Sequence, residues 1–105
     1  IDLHGHGKKL NSFFFSCKDS ERDEMKVFSA MMKKMEKRFN LNDCTYGISR
    51  DKENTIRSTL NGMGIIHSYT LETSLFGGEA RKIQLSTLTN RTIAKLERIW
   101  FKVCF

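Results

Sequence analysis

The chain has no proline, one tryptophan, two tyrosines and three cysteines in 105 residues. Without proline there is no proline-rich linker to divide it, and no internal repeat or low-complexity stretch points to a repeat array. The cysteines, Cys17, Cys44 and Cys104, are odd in number and widely spaced. That argues against a disulfide framework and against a Cys-x-x-Cys zinc site, leaving free thiols in a reducing compartment as the simplest account. No uninterrupted apolar segment approaches ~18 residues and no charged-then-apolar leader is present, so neither a membrane span nor export can be read from this stretch.

Acidic residues are outnumbered, 12 against 18 Lys and Arg, for a formal net charge of +6. Such a balance suits an acidic partner, whether nucleic acid, an anionic membrane surface or a glutamate-rich peptide, and charge alone does not choose. No nucleic-acid reader motif is present. The densest basic cluster, Lys33, Lys34, Lys37 and Arg38, has no aromatic residue interleaved at stacking distance, so it reads as a solvated face rather than a nucleic-acid surface.

A chain of this length forms one domain, or a piece of one, burying only ~60 to 65% of its unfolded surface. Two features favour a piece. The opening Ile-Asp-Leu-His-Gly-His reads as a strand running into a site, and the closing Trp-Phe-Lys-Val-Cys-Phe continues a helical pattern with no Gly, Asn or Pro to stop it. Both ends are expected to be cut.

The stretch that organises the rest is Gly64 to Gly78. Ile65, His67, Tyr69 and Leu71 alternate with Ile66, Ser68, Thr70 and Glu72, which predicts a strand bracketed by glycines with one carboxylate near its end. On this stretch alone, Glu72 reads equally well as a solvated strand-end residue. Upstream, Ile1 to His4 alternates apolar and polar, and Gly5 offers a turn before the basic connection His6-Gly7-Lys8-Lys9. His4 and His6 flank that glycine as surface histidines or metal ligands.

Leu10 to Cys17, with Phe13-Phe14-Phe15, predicts a buried strand whose phenylalanines are core. Ser20 opens a helix over Glu21 to Phe39, acidic at its start and basic at its end, with Met25, Phe28, Met32, Met35 and Phe39 in one apolar stripe. Cys44-Thr45-Tyr46 suggests a short strand, and Ile56 and Leu60 a weak helical pattern in Asp51 to Gly64. After Gly78, an extended piece at Ile83 to Leu85 and a final helix capped by Thr87 or Thr89 complete the expected order.

A strand carrying a histidine, a crossover helix and a strand carrying a glutamate form the pattern of an α/β domain, with His4 and Glu72 as neighbours along one sheet edge. Asp2-Leu3-His4-Gly5-His6 and Gly64-Ile65-Ile66-His67-Ser68-Tyr69-Thr70-Leu71-Glu72 together resemble the cytosolic carboxypeptidase branch of the zinc metallocarboxypeptidases, in the carboxypeptidase A superfamily. The likeness runs almost end to end. It takes in Lys8-Lys9-Leu10-Asn11-Ser12-Phe13, Lys52-Glu53-Asn54-Thr55-Ile56-Arg57 and the start of the last helix near Ser86-Thr87.

The resemblance implies that residues 1–105 are the C-terminal part of a mixed-sheet α/β catalytic domain with helices packed on the sheet. It implies that His4 is the third ligand of a single zinc ion and that Glu72 is the catalytic carboxylate. Arg57 matches the base of the pocket for the substrate's C-terminal side chain, where an arginine selects an acidic group. Thr70 matches a residue lining that pocket, and His6 a position beside the zinc.

The branch removes C-terminal glutamates, including those of tubulin tails and polyglutamate side chains, in the cytoplasm. The family's first two zinc ligands, from an upstream His-x-x-Glu motif, and the upstream Asn and Arg that hold the substrate carboxylate have no counterpart here. The family tyrosine that closes over substrate has no secure match, Tyr46 being only near the right region. One histidine does not make a three-ligand catalytic site, so the chain alone is expected to be inactive and to need the missing N-terminal half. The alternative is a degenerate, non-catalytic homologue or basic module that binds acidic tails. Neither nucleic acid nor a membrane is expected as a partner.

Overall fold

A computed structural model describes residues 1–17, 23–76 and Ala94. The expected extended piece at residues 83–85, and the expected final helix apart from Ala94, lie outside the described residues. So does Ser20, the expected start of the first helix.

Among the described residues, four strands form one mixed sheet in the order β1-β4-β2-β3: β1 (Asp2–His6), β2 (Ser12–Ser16), β3 (Thr45–Tyr46) and β4 (Tyr69–Ser74). β4 runs parallel to β1 and antiparallel to β2, while β2 and β3 are parallel. Among the described residues α1 (Glu24–Met35) and α2 (Ile56–Gly62) accompany the sheet in an α/β fold. The two inner strands are buried on both faces. That explains why Phe13-Phe14-Phe15 shows no alternation of apolar and polar residues.

The sheet's two faces do different work. On one, Phe14 and Leu71 face each other across β2 and β4 and join Tyr69, Met25, Phe28, Met32 and Phe39 in the core beneath α1. Ring centroids of Phe14 lie 5.5 Å from Phe28, 4.9 Å from Phe39 and 5.1 Å from Tyr69. Such pairs add about 0.5–1.5 kcal/mol each to the burial of their area. The Met stripe of α1 is therefore a sheet-packing face. On the other face stand Asp2, His4, Phe13, Phe15, Thr70 and Glu72, joined in register by the same ladders.

Three boundaries differ from the sequence pattern. α1 stops at Met35, because Glu36 turns to an extended conformation and its buried carboxylate accepts from the Arg38 amide and guanidinium, at 3.1 Å in each case. Phe39 still reaches the core, delivered by a bridge to Ser12 instead of by another helical turn. β4 begins at Tyr69, not at Gly64. Gly64, at φ +90°, ends α2 with Ile65 N–H reaching back to the Leu60 carbonyl at 3.0 Å, and the next residues find no strand partner until Tyr69 opposes Ser16.

The third difference is at Gly5, which lies inside β1 and not at a turn. A side chain there would meet Leu75 Cδ2 at 2.7 Å, so this glycine answers a close approach between β1 and the segment leaving β4. No helix among the described residues is long and apolar enough to cross a membrane.

Candidate active site

The β1/β4 ladder places His4 directly opposite Glu72, and the β2/β4 ladder places Phe13 on the other side of the same glutamate. Because facing residues project to the same side of a sheet, His4 and Glu72 share one surface. His4 Nδ1 stands 3.8 Å from Glu72 Oε1, and His4 Nε2 lies 2.8 Å from Asp2 Oδ2. Glu72 is nearly buried while the imidazole is half exposed. Both residues sit within their strands, since β1 continues through His6 and β4 through Ser74. The pair therefore occupies the face of the sheet instead of a strand end.

Beside this pair opens a cavity of about 220 Å³, whose walls include Asp2, His4, Phe15, Arg57, Thr70 and Glu72. Thr70 is two residues before Glu72 on β4, so the period of two puts both side chains into it. Arg57 arrives from the first turn of α2. That helix is started by Thr55, whose Oγ1 accepts the Ser58 amide.

Arg57 is buried, with Nη1 donating to Thr70 Oγ1 at 3.0 Å and the guanidinium 5.8 Å from the centre of the Phe15 ring. Its Nε has no hydrogen-bond partner, and no carboxylate among the described residues pairs with the guanidinium within 4.0 Å. A buried, unpaired arginine is costly, and an anionic group entering the cavity would offset that cost.

Four of the five residues singled out in the sequence, His4, Glu72, Arg57 and Thr70, line this one cavity. His6 points to the same face but lies outside the lining. Its Nδ1 accepts the amides of Lys8 at 3.0 Å and Lys9 at 3.2 Å, and its ring packs edge-on against Phe13 at 5.1 Å. Tyr46 is half-buried, packed against the opposite, core face.

Phe15 corrects the expectation that all three phenylalanines are core: Phe13 and Phe14 are fully buried, but Phe15 walls the cavity under Arg57. Lys52 is a further lining residue the sequence reading did not single out. Its carbonyl accepts from Ser58 Oγ at 2.7 Å and Thr55 Oγ1 at 3.0 Å, which ties its loop to the helix carrying Arg57. The signal for Phe15 and Lys52 is pairing and tertiary placement, not spacing.

As a metal centre the donor set is partial. Among the described residues no three His, Cys, Asp or Glu side chains converge to hold a metal ion. His4 offers one imidazole beside a carboxylate, fewer than the three protein ligands of a catalytic zinc site.

No protein-family model matches the chain. It is similar to cytosolic carboxypeptidase 2 of Macaca fascicularis, 35% identical over 107 residues, and to that of Homo sapiens, 35% identical over 112 residues, each covering 98% of the chain. Cytosolic carboxypeptidase 3 of Bos taurus is 35% identical over 82 residues, 72% of the chain. The chain spans only 12% of the length of the first two relatives and 8% of the third. At 35% identity over 98% of its length, and with a mixed α/β sheet, the chain belongs, as a segment, to the cytosolic carboxypeptidases.

Proposed function

We propose that this chain is the C-terminal part of the catalytic domain of a zinc-dependent carboxypeptidase that removes C-terminal glutamate from acidic protein tails, tubulin-like tails among them, in the cytoplasm. The observation that carries the reading is the shared cavity, in which the His4–Glu72 pair stands next to a buried arginine that has no carboxylate partner among the described residues.

The roles follow from chemistry. His4 contributes one zinc ligand, and the remaining ligands come from outside this chain. A zinc ion supplies Lewis acidity at such a centre. Glu72, held nearly buried between β1 and β2, takes a proton from the attacking water and passes it to the departing amine. Arg57 pairs with the side-chain carboxylate of the terminal residue, and Thr70 orients its guanidinium. His6, fixed against Phe13, stands at the margin of the substrate path. The chain alone, with one ligand, is inactive. The net charge of +6 favours acidic tails by steering.

The test is hydrolysis of a peptide ending in glutamate by the full-length protein. Release of free glutamate that stops on chelation, and that Glu72→Gln abolishes while zinc stays bound, is the expected result. Salt-sensitive binding of the same peptide with no released glutamate would replace this reading with a non-catalytic acidic-tail binder.

A further inference from the structure

We propose that Asp2 is a positioning residue for His4, fixing the tautomer and direction of its imidazole so that Nδ1 is the nitrogen offered to a metal ion. This rests on the reading of His4 as a zinc ligand. Asp2 and His4 are two apart on β1 and so share a face, and Asp2 is itself anchored opposite Thr70 on β4.

The 2.8 Å contact joins His4 Nε2 to Asp2 Oδ2. An ionised carboxylate only accepts, so Nε2 carries the proton and the neutral ring keeps its lone pair on Nδ1. Glu72 does not consume that lone pair. Its Oε1 is 3.8 Å away, beyond hydrogen-bond length. A carboxylate on the far nitrogen of a ligating histidine both orients the ring and raises its basicity.

The neighbouring histidine sharpens the assignment. His6 Nδ1 already accepts two backbone amides, from Lys8 and Lys9. In its neutral form the proton then sits on Nε2, and no lone pair remains for a metal. Of the two imidazoles in Asp-Leu-His-Gly-His, His4 is the one the surroundings leave with a free donor atom, and the Asp2 carboxylate is what leaves it so.

The experiment is zinc affinity of the full-length protein by chelator competition, for wild type, Asp2→Ala, Asp2→Asn and His4→Ala. Ring-nitrogen chemical shifts of His4 in the zinc-free protein form a second readout. Asp2→Ala is expected to weaken zinc binding by about 10–100-fold and to move His4 away from the Nε2-protonated form. Asp2→Asn, whose amide oxygen still accepts, is expected to restore most of both. Should Asp2→Ala melt early, Asp2→Leu, which keeps the size but offers no acceptor, decides by the same shifts and affinity.

Zinc affinity within about twofold of wild type in Asp2→Ala, with unchanged ring shifts, overturns the role of Asp2. If His4→Ala abolishes zinc binding at the same time, the carboxypeptidase reading survives and only Asp2 loses its part. If His4→Ala leaves zinc affinity intact, His4 is not a ligand and both fall together.

Discussion

Arg57 and Thr70 are joined across the cavity by an Nη1–Oγ1 hydrogen bond of 3.0 Å, while the guanidinium's Nε has no partner among the described residues. A neutral substrate side chain would leave the guanidinium unpaired, at a cost of about 1–3 kcal/mol. Arg57→Ala in the full-length protein should therefore lower kcat/KM for peptides ending in glutamate by roughly 5–150-fold more than for peptides ending in a neutral residue. Equal losses on both substrates would remove Arg57 from the specificity pocket.

Glu72 is paired through its backbone on both sides, so replacing its side chain should disturb little else. Glu72→Gln is expected to lower kcat by about 10²–10⁴-fold, the range for a positioned proton-transfer group, with KM and thermal midpoint close to wild type. A variant that loses KM instead would mark the carboxylate as a substrate contact.

Adjacent phenylalanines should behave differently. Phe14 touches three aromatic rings under α1, and Phe14→Ala should cost about 3–5 kcal/mol of stability. Phe15 walls the cavity from the opposite face, so Phe15→Leu should change stability by less than about 1.5 kcal/mol and register in KM. Denaturant midpoints of the two variants, set beside their steady-state kinetics, check the division.

Burial pushes the ionisation of Tyr69 well above the usual phenol range, and burial likewise raises the Cys44 and Cys17 thiols and the Tyr46 hydroxyl. In each case the folded state holds its proton more tightly than the unfolded state does. Stability is therefore complete below the unfolded-state values, about 8.5 for Cys and 10 for Tyr, and falls as pH rises through them toward the folded values. Urea midpoints between about pH 7 and 11 should decline on the alkaline side, and Tyr69→Phe should flatten the upper part of that decline. A flat profile to pH 11 would mean that these groups are solvated.

What the sequence revealed and what it hid follow from how far each signal reaches. The alternation that ends in Tyr69-Thr70-Leu71-Glu72 is local, and it correctly separates a core face from a site face. The Met and Phe stripe of α1 is equally local, up to Met35 at the end of the helix. Phe39 keeps helical spacing yet sits beyond the helix, because a buried Glu36–Arg38 pair, invisible to periodicity, bends the chain first. Gly5 looked like a turn because glycine serves turns and close approaches alike, and only Leu75, distant in sequence, distinguishes them. The four cavity residues were legible through resemblance to a family. Phe15 and Lys52 were not, since what recruits them is the register of β2 against β4 and a loop tied to α2.

The strand order β1-β4-β2-β3 gives the two halves of the site unequal tethering. Glu72 rides on an inner strand, whose amides and carbonyls are held from both sides, whereas His4 rides on β1, which among the described strands has β4 as its sole neighbour. Opening of the site should thus be one-sided: β4 amides should exchange with deuterium near the rate of global unfolding, and β1 amides sooner. Glu72 is thus the more firmly held member of the pair, and His4 the one that moves when the sheet edge opens.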